Sequence, residues 1–296
     1  MTLLTHACVQ NLELVKYPRT LHLQGSRLQV GDSEDGQYAY KDLQGQFIVV
    51  EEKLDGGNCA VSFSESGELL LQSRGHYLTG GGRERQFNLF KQWAVAHEAW
   101  LLEHLEDRYI MFGEWLHKKH SVFYDYLPHY FCEFDIWDRS QELFLSTQER
   151  HALLVEGPVL SVPVLYAGLA PVKFKDLTAM VKPSLARTPR WKNCFEKVVQ
   201  QEGFDLEKAW QQCDRSDDME GLYLKLETEK ETVGRLKWVR HDFVQAILDA
   251  GQHHATQPFI PNQLAAGVDL YAPQLAVKWP SLSDKVLEQG NKNDKL

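Results

Sequence analysis

Between residues 46 and 73 short apolar runs alternate with turn residues, and the pattern predicts three strands. QFIVVE covers 46–51, NCAVSFS covers 58–64 and ELLLQS covers 68–73. Asp-Gly-Gly-Asn and Ser-Glu-Ser-Gly join them with good turn chemistry, so the three read as an antiparallel meander. The period then changes: over 83–106, Phe87, Phe90, Trp93, Ala94, His97, Leu101 and Leu105 recur at helical spacing. Strands return at 109–115 and 130–137, on either side of HKKHSVFYDYLP. A helix is expected over 147–154 with a Thr or Ser cap. A mostly helical insertion follows over 175–212, broken at Pro183 and Pro189. Strands at 220–227 and 234–239 and a helix at about 241–250 complete the regular pattern. The tail, punctuated by Pro258, Pro261, Pro273 and Pro280, reads as a wrapped extension with a short helix near its end. No internal repeat is visible.

Composition changes this picture little. The chain has 296 residues, 43% hydrophobic and 25% charged, enough for one large domain or two with an ordinary globular core. Its first twenty residues lack the apolar stretch and cleavage site of a signal peptide, and nothing resembles a membrane span. Five scattered cysteines (Cys8, Cys59, Cys132, Cys194, Cys213) contain no C-x-x-C pair. That spacing argues against a zinc cage or a disulfide framework and suits a reducing cytoplasm. The expectation is a cytoplasmic protein with no membrane partner.

Charge changes it more. The net charge of −9 disfavours a polyanionic partner. Its distribution does not. From 172 to 197, Lys173, Lys175, Lys182, Arg187, Arg190, Lys192 and Lys197 face only Asp176 and Glu196, with Trp191 and Phe195 interleaved. Lys16, Arg19 and Arg27 form a second basic island. Both islands suit a nucleic-acid channel, or equally a solvated surface.

Candidate chemistry begins at EEKLDGGN, 51–58. Lys53 there is either an ordinary residue beside a turn or a nucleophile. Further short strings follow in order: SRG with Arg74, FGEW with Glu114, EFDIW with Phe134 and Asp135, EGLYLK with Glu220 and Lys225, and GRLKW with Arg235 and Lys237. Arg235 and Lys237, two apart, share one face of a strand. The series resembles the covalent nucleotidyltransferase superfamily of polynucleotide ligases and RNA capping enzymes, which carries K-x-D-G, S-R, G-E, a phenylalanine-bearing strand, E-G and K-x-K.

The resemblance implies an α+β nucleotidyltransferase (ATP-grasp-like ligase adenylation) fold of antiparallel sheets with flanking helices. It implies an adenylation domain over 1–245, with helical insertions near 83–106 and 175–212, and a C-terminal extension over 246–296. It also implies roles. Lys53 attacks the α-phosphate of ATP and becomes Lys-AMP. Arg235 and Lys237 bind that phosphate, Arg235 replacing the usual first lysine while keeping its charge. Phe134 stacks on adenine, or simply packs in the core. Glu114 accepts from a ribose hydroxyl, Arg74 holds the ribose or a phosphate, Glu52 lies beside the base, Lys225 adds a phosphate contact, and Leu54 is counted with the nucleotide contacts. Glu220 binds Mg²⁺ or Mn²⁺. A lysine of ordinary pKa is neutral about once in two thousand at pH 7, so cations and burial around Lys53 are expected to lower its pKa.

The pattern E-K-x-x-G-x-N is similar to the RNA ligase 2 type, in which the asparagine, here Asn58, contacts phosphate during sealing. Asp55 departs from the histidine of the phage form. The proline-rich stretch after Arg240 lacks the strand alternation of an OB barrel, which counts against DNA ligases and capping enzymes. The expected partner is RNA with 5′-phosphate and 3′-hydroxyl ends, supplied by a separate end-healing kinase-phosphatase. A nucleotide- or RNA-binding relative without catalysis is the alternative from another class. TGGGRERQF lacks the G-K-[ST] ending of a phosphate loop, and HKKHS reads as a substrate-contacting or solvated loop.

Overall fold

The computed structural model describes residues 13–28, 36–243 and 258–279. Strands β1 (Leu21–His22), β2 (Phe47–Glu52), β9 (Val164–Leu169), β10 (Gly221–Glu227) and β11 (Thr232–Val239) form one sheet in the order β1-β11-β10-β2-β9. Strands β3 (Gly57–Phe63), β4 (Leu69–Ser73), β5 (Tyr109–Trp115), β6 (Phe131–Asp138) and β7 (Leu143–Phe144) form the other, in the order β4-β3-β5-β6-β7. A short β8 (Leu160–Ser161) pairs with β6. Pairing is antiparallel except at β1–β11 and β6–β8. The fold is α+β, as the motifs imply.

The expected meander is corrected. β3 and β4 do form an antiparallel pair, but β2 pairs with β10 and β9 in the other sheet. Residues 53–56 are therefore a crossing from sheet to sheet, not a hairpin turn. β2 is a central strand with five of six residues buried, and that explains its unbroken apolar run.

Alternation sorts each sheet into a core face and an inner face. Ile48, Val50, Leu222, Leu224 and Leu236 build one core. Cys59, Val61, Phe63 and Met111 build another beneath α1 (Asn88–Ala96) and α2 (Glu98–Leu105). The single helix expected over 83–106 is split: a 3-10 turn covers Gly82–Phe87, and His97, outside helical geometry at φ −106°, separates α1 from α2. α3 (Thr147–Leu153) is capped by Ser146, whose hydroxyl accepts from the Glu149 amide. The basic insertion contains α4 (Phe174–Thr178), α5 (Trp191–Gln201) and α6 (Leu206–Gln211). The helix expected over 241–250 lies largely outside the described residues, and 241–243 are not helical. The short helix near the end of the tail also falls outside them. Residues 258–279 pack on the body: His97 Nε2 pairs with the Leu270 carbonyl at 3.0 Å, and Trp279 Nε1 donates to Ser161 O at 2.9 Å. No helix among the described residues is long and apolar enough to cross a membrane.

Candidate functional site

The inner faces of the two sheets meet along a charged seam, and Lys53 stands where β2 leaves it. Its Nζ lies 2.8 Å from Glu220 Oε1 and keeps 24% side-chain exposure. Two glycines make this geometry possible. A Cβ on Gly56 would sit 2.6 Å from the Trp115 carbonyl, and one on Gly221 would sit 2.0 Å from the Trp238 carbonyl. Only glycine lets the crossing turn pass β5, and only glycine lets β10 start against β11 with Glu220 beside Lys53. Asp55 pins the turn: its Oδ2 accepts from the amides of Ser121 and Val122 at 2.6 and 2.8 Å.

Acids surround the lysine. Burial favours the neutral amine, but the carboxylates of Glu220 and Asp55 outweigh it and hold the Lys53 pKa above its ordinary value. The lowering was expected from Arg235, Lys237, partial burial and a divalent metal together; without the metal, the acids outweigh the rest. The acids are perturbed in turn. Burial pushes Glu114 up to about 8 against the pull of Lys53, and pushes Glu220 up to about 7 against the same lysine. Glu114 Oε1 accepts from the Gly56 amide at 2.8 Å. Glu220 Oε2 is buried without a partner.

A carboxyl raised by folding holds a proton that the unfolded chain releases at about pH 4.3. Folding stability therefore falls as pH rises from about 5 to about 8. Glu114→Gln keeps an acceptor for Gly56 and removes that proton. The Tm of nucleotide-free wild type is expected to drop across this window and that of the variant to drop less. Parallel pH profiles would remove Glu114 from the account.

Asn58 stands opposite Glu114 in the β3–β5 register, and exposed Arg74 follows Ser73, which pairs with Cys59. These three line the end of the second sheet nearest the crossing turn. On the first sheet, Tyr223 pairs with Lys237 and Lys225 with Arg235, so all four share the inner face. Lys237 also acts on Glu220, helping to oppose its raised pKa. Arg235 Nε donates to Asp135 Oδ2 at 2.8 Å, its guanidinium carbon lies 3.6 Å from the centroid of Phe144, and its Nη2 is buried without a partner. Phe134 is the extra residue of a β-bulge opposite Phe112 and Gly113, a device that re-aims side chains. Its half-buried ring meets Tyr17 edge-on at 5.0 Å.

Three residues sit elsewhere than expected. Lys225 is fully buried, paired with Glu51 at 3.1 Å and Asp135 at 3.4 Å and donating to the Phe134 carbonyl, so its ammonium ties the sheets together and faces no open phosphate site. Leu54 turns into the hydrophobic core, as alternation after Lys53 requires. Glu52, expected beside the base, accepts from Ser184 Oγ at 2.5 Å and the Leu185 amide at 3.1 Å, tethering the basic insertion. HKKHS is no solvated loop either. Lys119 is buried with its ammonium on the carbonyls of His120 and Gln212, and His117 is pushed by burial down to about 4.

The seam itself escaped sequence reasoning. Arg150 is fully buried, reaching Glu133 at 2.7 Å and Glu51 at 2.9 Å. Tyr17 donates to Asp135 and lies 2.6 Å from the Tyr223 hydroxyl. An arginine inside an amphipathic helix and a tyrosine in a basic island carry no distinguishing spacing, though acids in the apolar strands at Glu133 and Asp135 were a signal that buried cations must exist.

The model of the RNA ligase family matches residues 46–239, more than half of the chain. No curated protein matches. Among solved structures, the chain is similar to mutant forms of Naegleria gruberi RNA ligase. A form with ATP and Mn has 19% identity, covering 73% of this chain and 54% of that one, at a TM-score of 0.44. A form with AMP and Mn gives the same values. An apo form has 17% identity, covering 84% and 63%, at 0.46. The chain thus spans about half the length of the first of these ligases. The matched family span runs from the approach to β2 through the last residue of β11 and contains Lys53, Glu114, Glu220 and Lys237; this chain belongs to the RNA ligase family.

Proposed function

We propose that this protein is an ATP-dependent RNA ligase working through Lys53. The observation that carries the reading is the Lys53–Glu220 pair at 2.8 Å, supported by Asn58 opposite Glu114 on one inner sheet face and by Arg235 and Lys237 on the other. In the first step Lys53 Nζ bonds to the α-phosphorus of ATP, the bond to the β-phosphate oxygen breaks, and pyrophosphate leaves. AMP then passes to an RNA 5′-phosphate. A 3′-hydroxyl attacks that activated phosphate, forming the phosphodiester and releasing AMP.

Each side chain has a task in this scheme. Arg235 and Lys237 offset the charge of the reacting phosphate. Phe134 offers its ring to adenine, Glu114 accepts from a ribose hydroxyl, and Asn58 and Arg74 engage phosphate or ribose. Among the described residues no group of three or more His, Cys, Asp or Glu side chains is arranged to hold a metal. Glu220 nevertheless fits Mg²⁺ or Mn²⁺ as a single protein ligand, because Oε2 is a buried, unpartnered hard oxygen. Such an ion supplies positive charge against Glu220 and the triphosphate. An ion engaging Glu220 would weaken the largest carboxylate contribution that raises the Lys53 pKa, leaving burial to oppose those of Asp55 and Glu114.

The chemistry calls for RNA bearing a 5′-phosphate and a 3′-hydroxyl, and so for an end-healing kinase-phosphatase wherever breaks leave other ends. The test is intact mass after treatment with pyrophosphate, to strip any AMP, followed by ATP and Mg²⁺. One AMP should be gained per chain, then discharged on adding 5′-phosphorylated RNA, with a joined product. No uptake of AMP by the stripped protein would overturn the reading.

A further inference from the structure

Asp55 holds the crossing turn through the segment that follows β5, and that segment is itself held from the far end of the chain. Asn262 is fully buried. Its Nδ2 donates to the Leu116 carbonyl at 2.7 Å, and its Oδ1 accepts from the Tyr124 amide at 2.9 Å. One side chain therefore spans both ends of the loop 116–124. Around it the backbone is stitched strand-like: Lys119 N to Ile260 O at 2.8 Å, Asn262 N to His117 O at 2.9 Å, Gln263 N to Tyr124 O at 2.9 Å, and Leu127 N to Gln263 O at 3.0 Å. The Tyr130 hydroxyl donates to Asn262 O at 2.7 Å.

The loop so fixed grips the turn from both sides. Ser121 and Val122 donate to the Asp55 carboxylate, and the Tyr124 hydroxyl accepts from the Asp55 amide at 2.8 Å. The connected path is Asn262, Tyr124, Asp55, Lys53. The first two links are hydrogen bonds, and the last is the two-residue step along the turn from Asp55 through Leu54 to Lys53.

We infer that the segment around 260–265 is a positioning element for lysine adenylylation, with Asn262 and Tyr124 as its positioning residues. Neither touches the reacting atoms. They set where the turn carries Lys53 Nζ, and in-line attack on phosphorus tolerates little displacement. The inference rests on Lys53 being the nucleophile.

The first step needs Lys53 as nucleophile, whereas sealing of a pre-adenylylated RNA end does not. Single-turnover AMP uptake over a range of ATP concentrations, and sealing of pre-adenylylated RNA, are to be measured on the same preparations of the whole chain. The variants are Tyr124→Phe, which removes only the acceptor oxygen, Asn262→Ala, and Asn262→Asp, which keeps the acceptor for the Tyr124 amide. AMP uptake at saturating ATP should fall about tenfold or more in Tyr124→Phe and further in Asn262→Ala. Sealing should fall several-fold less than uptake in each, the KM for ATP should move less than the uptake rate, and Asn262→Asp should recover part of the loss. Wild-type uptake in folded Tyr124→Phe overturns the inference. So does an equal loss in both steps, which assigns the segment to stability alone. Failure of wild type itself to take up AMP refutes the nucleophile, a different result from either.

Discussion

Lys53→Ala is expected to abolish AMP uptake, with a loss of at least about a thousandfold relative to wild type, because it removes the attacking amine itself. Lys53→Arg sharpens the experiment. A guanidinium preserves the charge facing Glu220, which otherwise sits 3% exposed with one unpartnered oxygen, yet it stays protonated and does not attack. Intact mass spectrometry with ATP and Mg²⁺ reads both variants directly. Adduct on the alanine variant at the wild-type level would move the nucleophile elsewhere. Both variants should still seal pre-adenylylated RNA measurably, since the later bond forms between two RNA ends.

The second large effect is on stability. Arg150→Ala leaves Glu51 and Glu133 buried at 1% and 0% exposure with their shared cation gone. Removing one partner of such a buried pair costs about 3–5 kcal/mol, a large part of the roughly 5–15 kcal/mol by which domains are stable. The remaining cation, Lys225, is already shared between Glu51 and Asp135. A urea midpoint shift equivalent to less than about 1 kcal/mol would show that the seam is not the structural tie its geometry indicates.

Both predictions concern the inner faces, and the two halves of that surface were unequally legible. The reactive half was written in short strings, because its chemistry needs particular residue types at fixed strand spacing. Glycines beside Lys53 and Glu220 mark places where backbones nearly touch. The structural half was not. Lys225 and Lys237 were both expected to contact phosphate, yet one is buried among acids and the Phe134 carbonyl while the other acts on Glu220. Spacing assigns both to one face, and only the depth of each along the seam separates them. That Arg235, Lys237 and burial do not by themselves lower the Lys53 pKa has a related reason. Sequence names the cations and acids of a site without their distances, and Coulomb interactions are decided by distance and burial.

The sequence by itself determined the order of the chemical motifs, whose resemblance implied the α+β class, and the placement of the main strands, because alternation and turn chemistry are local. Tertiary structure alone decided that β2 and β3 belong to different sheets, so that the turn at Lys53 is a crossing and its lysine opens onto the space between them. It also brought Tyr17 and Arg150 to that space, and Asn262 to the loop that holds the turn, from distant parts of the chain. Such pairings depend on which faces bury one another, and no local period records which partner a buried face will find.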